Sequence, residues 1–164
     1  MTHEIFSPKP SFLKKHHYTK IVTADSDIDS VWSWLNSMKT FSNGQMPPYR
    51  VEFINPNGQG DPSFKEGVYT NHHGPLLSAC GMIGEMRKNE YRDLRYMYGS
   101  YVISFRLVRP TRLQFWLEAK DSQTQIKMSL DSYVSPKFEP IWNVGLKLFG
   151  MSFQRWVKRI FSVS

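Results

Sequence analysis

The side chains best suited to chemistry lie in the middle of the chain, where two histidines are adjacent. His72 and His73 come near the end of a predicted strand and precede Gly74 and Pro75. Neighbouring strand residues point to opposite faces, so at most one of these imidazoles can face an interior. No His-x-His or His-x-x-Glu spacing supplies further ligands, so we predict no metal site. His72 is therefore a candidate polar anchor for a ligand, the alternative being a histidine pair near solvent.

Arginine offers a second kind of anchor, on a predicted strand that also carries tyrosines. If Arg95 faces inward, its guanidinium can bind a carboxylate or a phosphate through two parallel hydrogen bonds. The alternative, which we favour, places Arg92 and Arg95 on the solvent-facing side. The residues then turned toward the interior are Leu94, Tyr96 and Tyr98.

Glu66 and Tyr69 are two further candidate anchors. A buried Glu66 would have a raised pKa and could act as a general acid or base, although the sequence does not show that it is buried. No linear catalytic motif accompanies these residues: the chain has no Gly-x-Ser-x-Gly, no phosphate-binding loop and no dinucleotide fingerprint. The choice between binding and catalysis therefore stays open, with binding favoured.

Composition narrows the class of protein. The chain has 164 residues, of which 40% are hydrophobic and 15% aromatic, which suits one domain with a bulky core or a wide apolar cavity. With Cys80 as its one cysteine, the chain can form neither an intramolecular disulfide nor a thiolate zinc cage. The N-terminus lacks the apolar run of a signal peptide, and no apolar stretch is long enough to span a membrane. We expect a cytoplasmic protein without a cofactor.

The charge balance is basic. Lys and Arg number 21 against 14 Asp and Glu, which gives a formal charge of +7. Such an excess favours an anionic partner, but no block of about five or six basic residues occurs, so an ordinary basic surface is the simpler interpretation. Basic residues near the C-terminus lie beside Trp156 and Phe161, which weakly indicates contact with a membrane surface. We find no element that reads nucleic acid.

Hydrophobic spacing predicts the order of the elements. Residues 1–11 lack periodicity and are expected to form an extended arm, followed by one domain over 12–164. A strand over 12–24 leads to a helix over 27–38, with a cap chosen from Asp25, Ser26 and Asp27. The strands expected next are 49–54, 64–72, 79–88, 90–98, 100–109, 112–120 and 124–135, with tight connections at Pro110-Thr111 and Asp121-Ser122-Gln123.

After Pro136 the apolar period lengthens to that of a long amphipathic helix. The predicted fold class is therefore α+β, a curved antiparallel sheet of six to eight strands gripping that C-terminal helix. Because a curved sheet cannot pack flush on a straight helix, large side chains or a cavity must occupy the space between them. The candidate lining residues are Phe105, Leu107, Phe115, Leu117, Met128, Leu130 and Tyr96 on the sheet, and Trp142, Leu146, Phe149 and Phe153 on the helix.

This order of elements resembles the START-like helix-grip superfamily (SRPBCC), which includes polyketide cyclases, lipid-transfer domains and pollen allergens. Lys20–Ala24 followed by Asp29–Leu35 is similar to the family's first strand and its helix with a Val-Trp core. Phe64–Val68 is similar to the family's glycine-bearing third strand. Our count exceeds the family's usual seven strands by one, so either two segments form one bent strand or a hairpin has been added.

The resemblance implies an apolar pocket between sheet and helix. Since members range from lipid carriers to cyclases and hydrolases, it implies a container more than a reaction. We therefore predict that the protein binds or carries a small hydrophobic, lipid- or polyketide-like ligand in that cavity. The alternative is a cyclase- or hydrolase-type enzyme that uses the polar residues of the same cavity.

Overall fold

Seven strands form one antiparallel sheet in the computed structural model, which describes residues 8–43, 50–56, 64–73, 78–98 and 106–162. The strands are β1 (Lys14–Ala24), β2 (Arg50–Ile54), β3 (Tyr69–His73), β4 (Ala79–Arg87), β5 (Tyr91–Tyr98), β6 (Val108–Lys120) and β7 (Gln123–Val134). The helices of the same ranges are α1 (Ile28–Leu35), α2 (Met38–Asn43) and α3 (Glu139–Phe161). The spatial order β1-β7-β6-β5-β4-β3-β2 pairs the first strand with the last.

The predicted α+β class is confirmed, because α3 packs its apolar stripe against the inner face of this sheet. Leu146, Phe153 and Val157 are buried on that helix at steps that bring them to one side. They join a core cluster that includes Ile126 and Met128 of β7, both completely buried. The cluster extends from β1 across β7, β6 and β5 to Ala79 and Ile83 of β4.

Helix α1 begins where the sequence offers a cap. The Asp27 carboxylate accepts the Ser30 backbone N–H at 2.9 Å and the Ser30 hydroxyl at 2.7 Å. Asp27 is thus the cap among the three residues considered. The helix buries Val31 and Leu35 and ends at Leu35, earlier than the predicted limit.

The turn predicted at Pro110-Thr111 is wrong, because both residues lie inside β6. The register between β6 and β7 shifts between Pro110 and Arg112, and pairing with β5 on the other side begins only at Arg112. A proline without an N–H is tolerated at such an irregular, singly paired position. Residues 108–120 are therefore one strand, whereas residues 100–105 of the strand predicted over 100–109 lie outside the described ranges.

The strand predicted over 64–72 begins only at Tyr69. Glu66 and Gly67 form a turn, and Gly67 has a φ of +83°, a conformation that a residue with a Cβ rarely adopts. Its N–H donates to the carbonyl of Ile83 at 2.8 Å, so the turn stays joined to β4. The other predicted tight connection is confirmed, because Lys120 and Gln123 pair directly across Asp121 and Ser122.

Two glycines of α3 provide a matched test of how closely this helix approaches β1. A Cβ on Gly150 would clash with the hydroxyl of Tyr18 and lie 3.1 Å from its Cζ, so the ring must move. A Cβ on Gly145 meets nothing within 4 Å among the described residues. We expect Gly150→Ala to lower the free energy of unfolding by about 1–3 kcal/mol. Gly145→Ala should raise it by about 0.5–1 kcal/mol through helix propensity.

Urea denaturation followed by circular dichroism measures both changes. If both substitutions changed the free energy of unfolding equally, the close contact between α3 and Tyr18 would be contradicted.

Candidate functional site

A cleft opens on the inner face at the β2–β5 end of the sheet, on the side covered by α2. Five apolar side chains and three polar ones line about 160 Å³ of space, part of which is open to solvent. The apolar residues are Phe41, Val51, Phe53, Phe64 and Leu94, and the polar residues are Thr70, His72 and Arg92. The side chains close this space so tightly that no water-sized void remains. We call it the Arg92 cleft.

Strand pairing explains how residues distant in sequence come together here. In the antiparallel pair of β2 and β3, Val51 lies opposite His72 and Phe53 lies opposite Thr70. Residues directly opposite each other share a face, and each strand places every second residue on that face. Arg92 belongs to the inward-facing set of β5 with Leu94. The polar groups of the cleft therefore come from two strands separated by β4.

Arg92 is the most unusual member of the cleft. Its side chain is among the largest of those fully buried, with 1% exposure. Its guanidinium carbon lies 4.9 Å from the ring centroids of both Phe41 and Phe64 and 4.6 Å from that of Phe115. Cation–π attraction by these rings compensates part of the lost hydration. No described residue accepts a hydrogen bond from Nε, Nη1 or Nη2.

Burial without such acceptors disfavours the charged form of the guanidinium. It lowers the pKa of Arg92 to about 9, although Tyr96 and Asp93 act in the opposite direction. Arg92 still carries its charge at neutral pH. The cleft thus holds a positive charge that lacks a hydrogen-bonding anion within the described chain.

Thr70 and His72 add two more buried polar atoms to the same cleft. Thr70 Oγ1 and His72 Nε2 have no hydrogen-bond partner among the described residues. Burial, with smaller contributions from the charges of Arg92 and His73, lowers the pKa of His72 to about 4. The imidazole is therefore neutral at neutral pH, and it packs edge-on against Tyr96 at 5.6 Å. Three unsatisfied polar groups in one apolar enclosure are characteristic of a site that receives a polar group from outside.

The expectation that Arg92 faces solvent is wrong, whereas Arg95 does lie on the outer face of the sheet. Arg95 Nε donates to Asp93 Oδ2 at 3.1 Å. Arg112 also contacts this fully buried carboxylate and donates to the Tyr91 hydroxyl at 2.8 Å. Burial and the charge of Asp93 raise the pKa of Tyr91 to about 12. Two of these three arginines therefore share an aspartate, and Arg92 points away from it.

The other candidate anchors lie apart from the cleft. Glu66 Oε1 accepts the backbone N–H of Met86 at 2.6 Å, and Tyr69 is 40% exposed. His73 points to the other side of β3 and contacts Glu52 at 3.0 Å. Of the four predicted anchors, only His72 lines the Arg92 cleft. Sequence reasoning missed Arg92 as a site residue. The available signal was its spacing, because Arg92 lies two residues before Leu94 and four before Tyr96, and such residues share one face of a strand.

The side chains predicted to line a cavity between sheet and α3 mostly pack together. The predicted lining residues that belong to the buried core cluster are Tyr96, Phe115, Leu117, Met128, Leu130, Leu146 and Phe153. Trp142 packs partly against this cluster and donates to Ser132 Oγ at 3.0 Å, whereas Phe149 is 42% exposed. Leu107 lies in a turn and is half-buried, and Phe105 lies outside the described residues. Within this set, Phe115 places its ring against the guanidinium of Arg92.

The aromatic residues considered for membrane contact face inward. Trp156 and Phe161 pack on Trp34 of α1, with ring centroids 4.9 Å and 5.3 Å away. In the described part of the chain, no helix is long and apolar enough to cross a membrane. The same residues contain no cluster of three or more His, Cys, Asp or Glu side chains that could hold a metal ion.

Comparison with solved structures finds the same architecture. Truncated norcoclaurine synthase from Thalictrum flavum matches with a TM-score of 0.66 at 12% identity, over 96% of this chain and 100% of that chain. The same protein in complex with dopamine and hydroxybenzaldehyde gives 0.63 at 10% identity, over 100% and 99%. Major latex-like protein 151 from Panax ginseng gives 0.60 at 10% identity, over 91% and 99%.

Sequence comparisons add nothing to this, since no family model and no curated protein matches the chain significantly. Identities this low concern the fold alone. With its seven-stranded antiparallel sheet and long C-terminal helix, the described chain shares the helix-grip fold of these solved structures, and this confirms the fold that the sequence predicted.

Replacing Arg92 tests whether its charge costs stability. At neutral pH the guanidinium is charged in both folded and unfolded chains, and only folding buries it. We expect Arg92→Met to raise the free energy of unfolding by about 1–4 kcal/mol, because an apolar side chain of similar length fills the same space. Above pH 9 the folded protein loses the proton before the unfolded chain does, so wild-type stability rises and the difference shrinks.

Urea denaturation at pH 7 and pH 10 measures this difference. Arg155→Met, on the exposed side of α3, is the control and should change the free energy of unfolding by less than about 0.5 kcal/mol. A clear destabilisation by Arg92→Met at pH 7 would mean that the three rings more than offset the cost of burying the charge.

Proposed function

We propose that the protein binds a small hydrophobic molecule in the Arg92 cleft. The observation that carries the proposal is the convergence of three buried, unsatisfied polar groups on an otherwise apolar enclosure. Binding pockets combine apolar walls with a few polar groups that orient the ligand. The norcoclaurine synthase complex with dopamine and hydroxybenzaldehyde supports the idea that a helix-grip fold accommodates small aromatic molecules.

A guest enters this cleft only when side chains move aside. The Phe41 ring, from the short helix α2, stacks on Phe64 at 5.9 Å and meets Phe53 at 6.4 Å. Displacing two or three rings without unfolding the sheet requires motion of α2 and of the turn around Phe64. Binding is therefore coupled to opening, which reduces the apparent affinity by the fraction of molecules that are open.

Binding is favoured over catalysis by the chemistry of the same groups. A cyclase- or hydrolase-type reaction here would use His72 as the acid or base and Arg92 as the charge stabiliser. A pKa of about 4 makes His72 a weak base, since efficient proton transfer needs a pKa near the working pH. The described lining of the cleft also contains no carboxylate to take over that role.

Filling the cleft tests the proposal. Val51 lines the cleft, whereas Ile54 on the same strand is 52% exposed, so Val51→Phe and Ile54→Phe form a matched pair. The probe is 3-phenylpropan-1-ol, titrated into ¹⁵N-labelled protein and followed by amide chemical shifts. We expect wild-type shifts to centre on Val51, Thr70 and Arg92. Val51→Phe should weaken binding by about tenfold or more, as expected for overpacking of about 1–3 kcal/mol.

Ile54→Phe should leave the dissociation constant within about twofold of wild type. The spectrum of each variant without probe reports whether its fold is intact. Shifts that centre on α3 instead, or equal affinities for all three proteins, would refute binding in the cleft.

A further inference from the structure

We infer that the natural ligand of the Arg92 cleft is a monocarboxylate with an apolar body, and that Arg92 binds its carboxylate. The inference rests on the proposed function and names its ligand class. It follows from charge, from hydrogen-bonding capacity and from the shape of the enclosure, each of which is an independent property of the described residues.

The described lining of the cleft carries one positive charge, that of Arg92, and no carboxylate. Asp93 satisfies Arg95 and Arg112 on the outer face of the sheet, while Arg92 projects to the inner face among three rings. His72 is neutral at neutral pH, so it adds no second positive charge. A monoanion therefore neutralises the described cleft, whereas a phosphate dianion would leave a buried negative charge. This favours a carboxylate over a phosphate ester.

The donors of the cleft match a carboxylate. A guanidinium carries five N–H donors in a planar fork, and a carboxylate accepts two parallel hydrogen bonds from it. The hydroxyl of Thr70 can donate a further bond. His72 Nε2 does so as well in the tautomer that carries its proton there. An anion bound at this place would satisfy polar atoms that no described residue satisfies.

The apolar lining of the cleft determines the chemistry of the part of the ligand beyond its carboxylate. Every other described lining residue is apolar, and three of the five are phenylalanines. A flat or ring-sized apolar body can replace the contacts that Phe41 and Phe64 make with each other. A ligand with several hydroxyl groups would lose hydration without gaining partners there.

The test compares ligands that differ only in the anionic group. The probes are 3-phenylpropanoate, the neutral 3-phenylpropan-1-ol and 3-phenylpropyl phosphate, titrated at constant ionic strength into wild type, Arg92→Met and Arg155→Met. We expect wild type and Arg155→Met to bind the carboxylate at least about tenfold more tightly than the alcohol, since a charged hydrogen bond contributes about 1.5–3 kcal/mol. Arg92→Met should lose this preference and keep its affinity for the alcohol within about threefold.

Arg92→Met is expected to fold, because it exchanges a buried charge for an apolar chain, and Arg92→Lys provides a second variant. Lysine keeps the charge but lacks the planar fork, so its preference for the carboxylate should fall between those of wild type and Arg92→Met.

The remaining outcomes distinguish a failure of the carboxylate inference from a failure of the proposed function. Equal binding of carboxylate and alcohol in the cleft would overturn the carboxylate inference and leave ligand binding standing. Tighter binding of the phosphate ester would overturn it in favour of a different anion. If Arg92→Met kept the full preference, another residue would bind the anion. Failure of all three probes to shift the cleft amides of wild type would refute the proposed function itself, and with it the inference.

Discussion

The inner face of a seven-stranded curved sheet must be covered, and one helix covers only part of it. Helix α3 packs along β1 and buries the face formed by β1, β7 and β6. At the opposite end, the short helix α2 packs against β2 and closes the sheet with help from phenylalanine rings. The two ends therefore differ in character. One is a packed apolar core, and the other is a thinner enclosure in which a charged side chain is buried.

This division places the candidate site beside α2 rather than wholly under α3, the position that the fold suggests at first sight. A helix-grip domain is expected to hold its ligand under the long helix, and here the residues in that place form the core. Phe115 belongs to both regions, since it packs on Phe153 at 5.6 Å and lies under the guanidinium of Arg92. The core thus contacts the cleft through Phe115, and α3 reaches it a second time where Trp156 packs on Phe41 with ring centroids 6.1 Å apart.

Much of the fold followed from sequence periodicity, but the site did not. The two-residue alternation of β6 and β7 and the helical spacing after Pro136 predicted the sheet and α3, because these elements are long and each has a wet and a dry face. Pro110 misled the strand count, since sequence alone does not show that a strand has only one neighbour at that point. The turn at Gly67 was similarly missed, because the residues around it were predicted to form one continuous strand.

Arg92 was not predicted as a site residue, because a charged side chain is expected to be exposed to solvent. Arg92 is spaced as an inward residue of β5, yet its residue type argued for solvent, and the general preference of arginine for the surface decided the prediction. Phe41, Phe64 and Phe115 surround it from three separate segments, so no local pattern in the sequence reveals that they meet. A buried arginine can be recognised in a sequence only through its place in the alternation.

The closed state of the cleft and the burial of Arg92 are two consequences of one arrangement. The rings that exclude water raise the cost of the charge, and the same exclusion strengthens any hydrogen bond that a guest makes to it. A neutral guest must displace the rings and cannot neutralise the charge of the guanidinium. An anionic guest also neutralises Arg92 and accepts its hydrogen bonds. Part of the free energy that folding loses by burying this charge is therefore recovered when the anion binds. Selectivity for an anion then arises from the difference in binding free energy between an anionic and a neutral ligand, rather than from the size of the pocket.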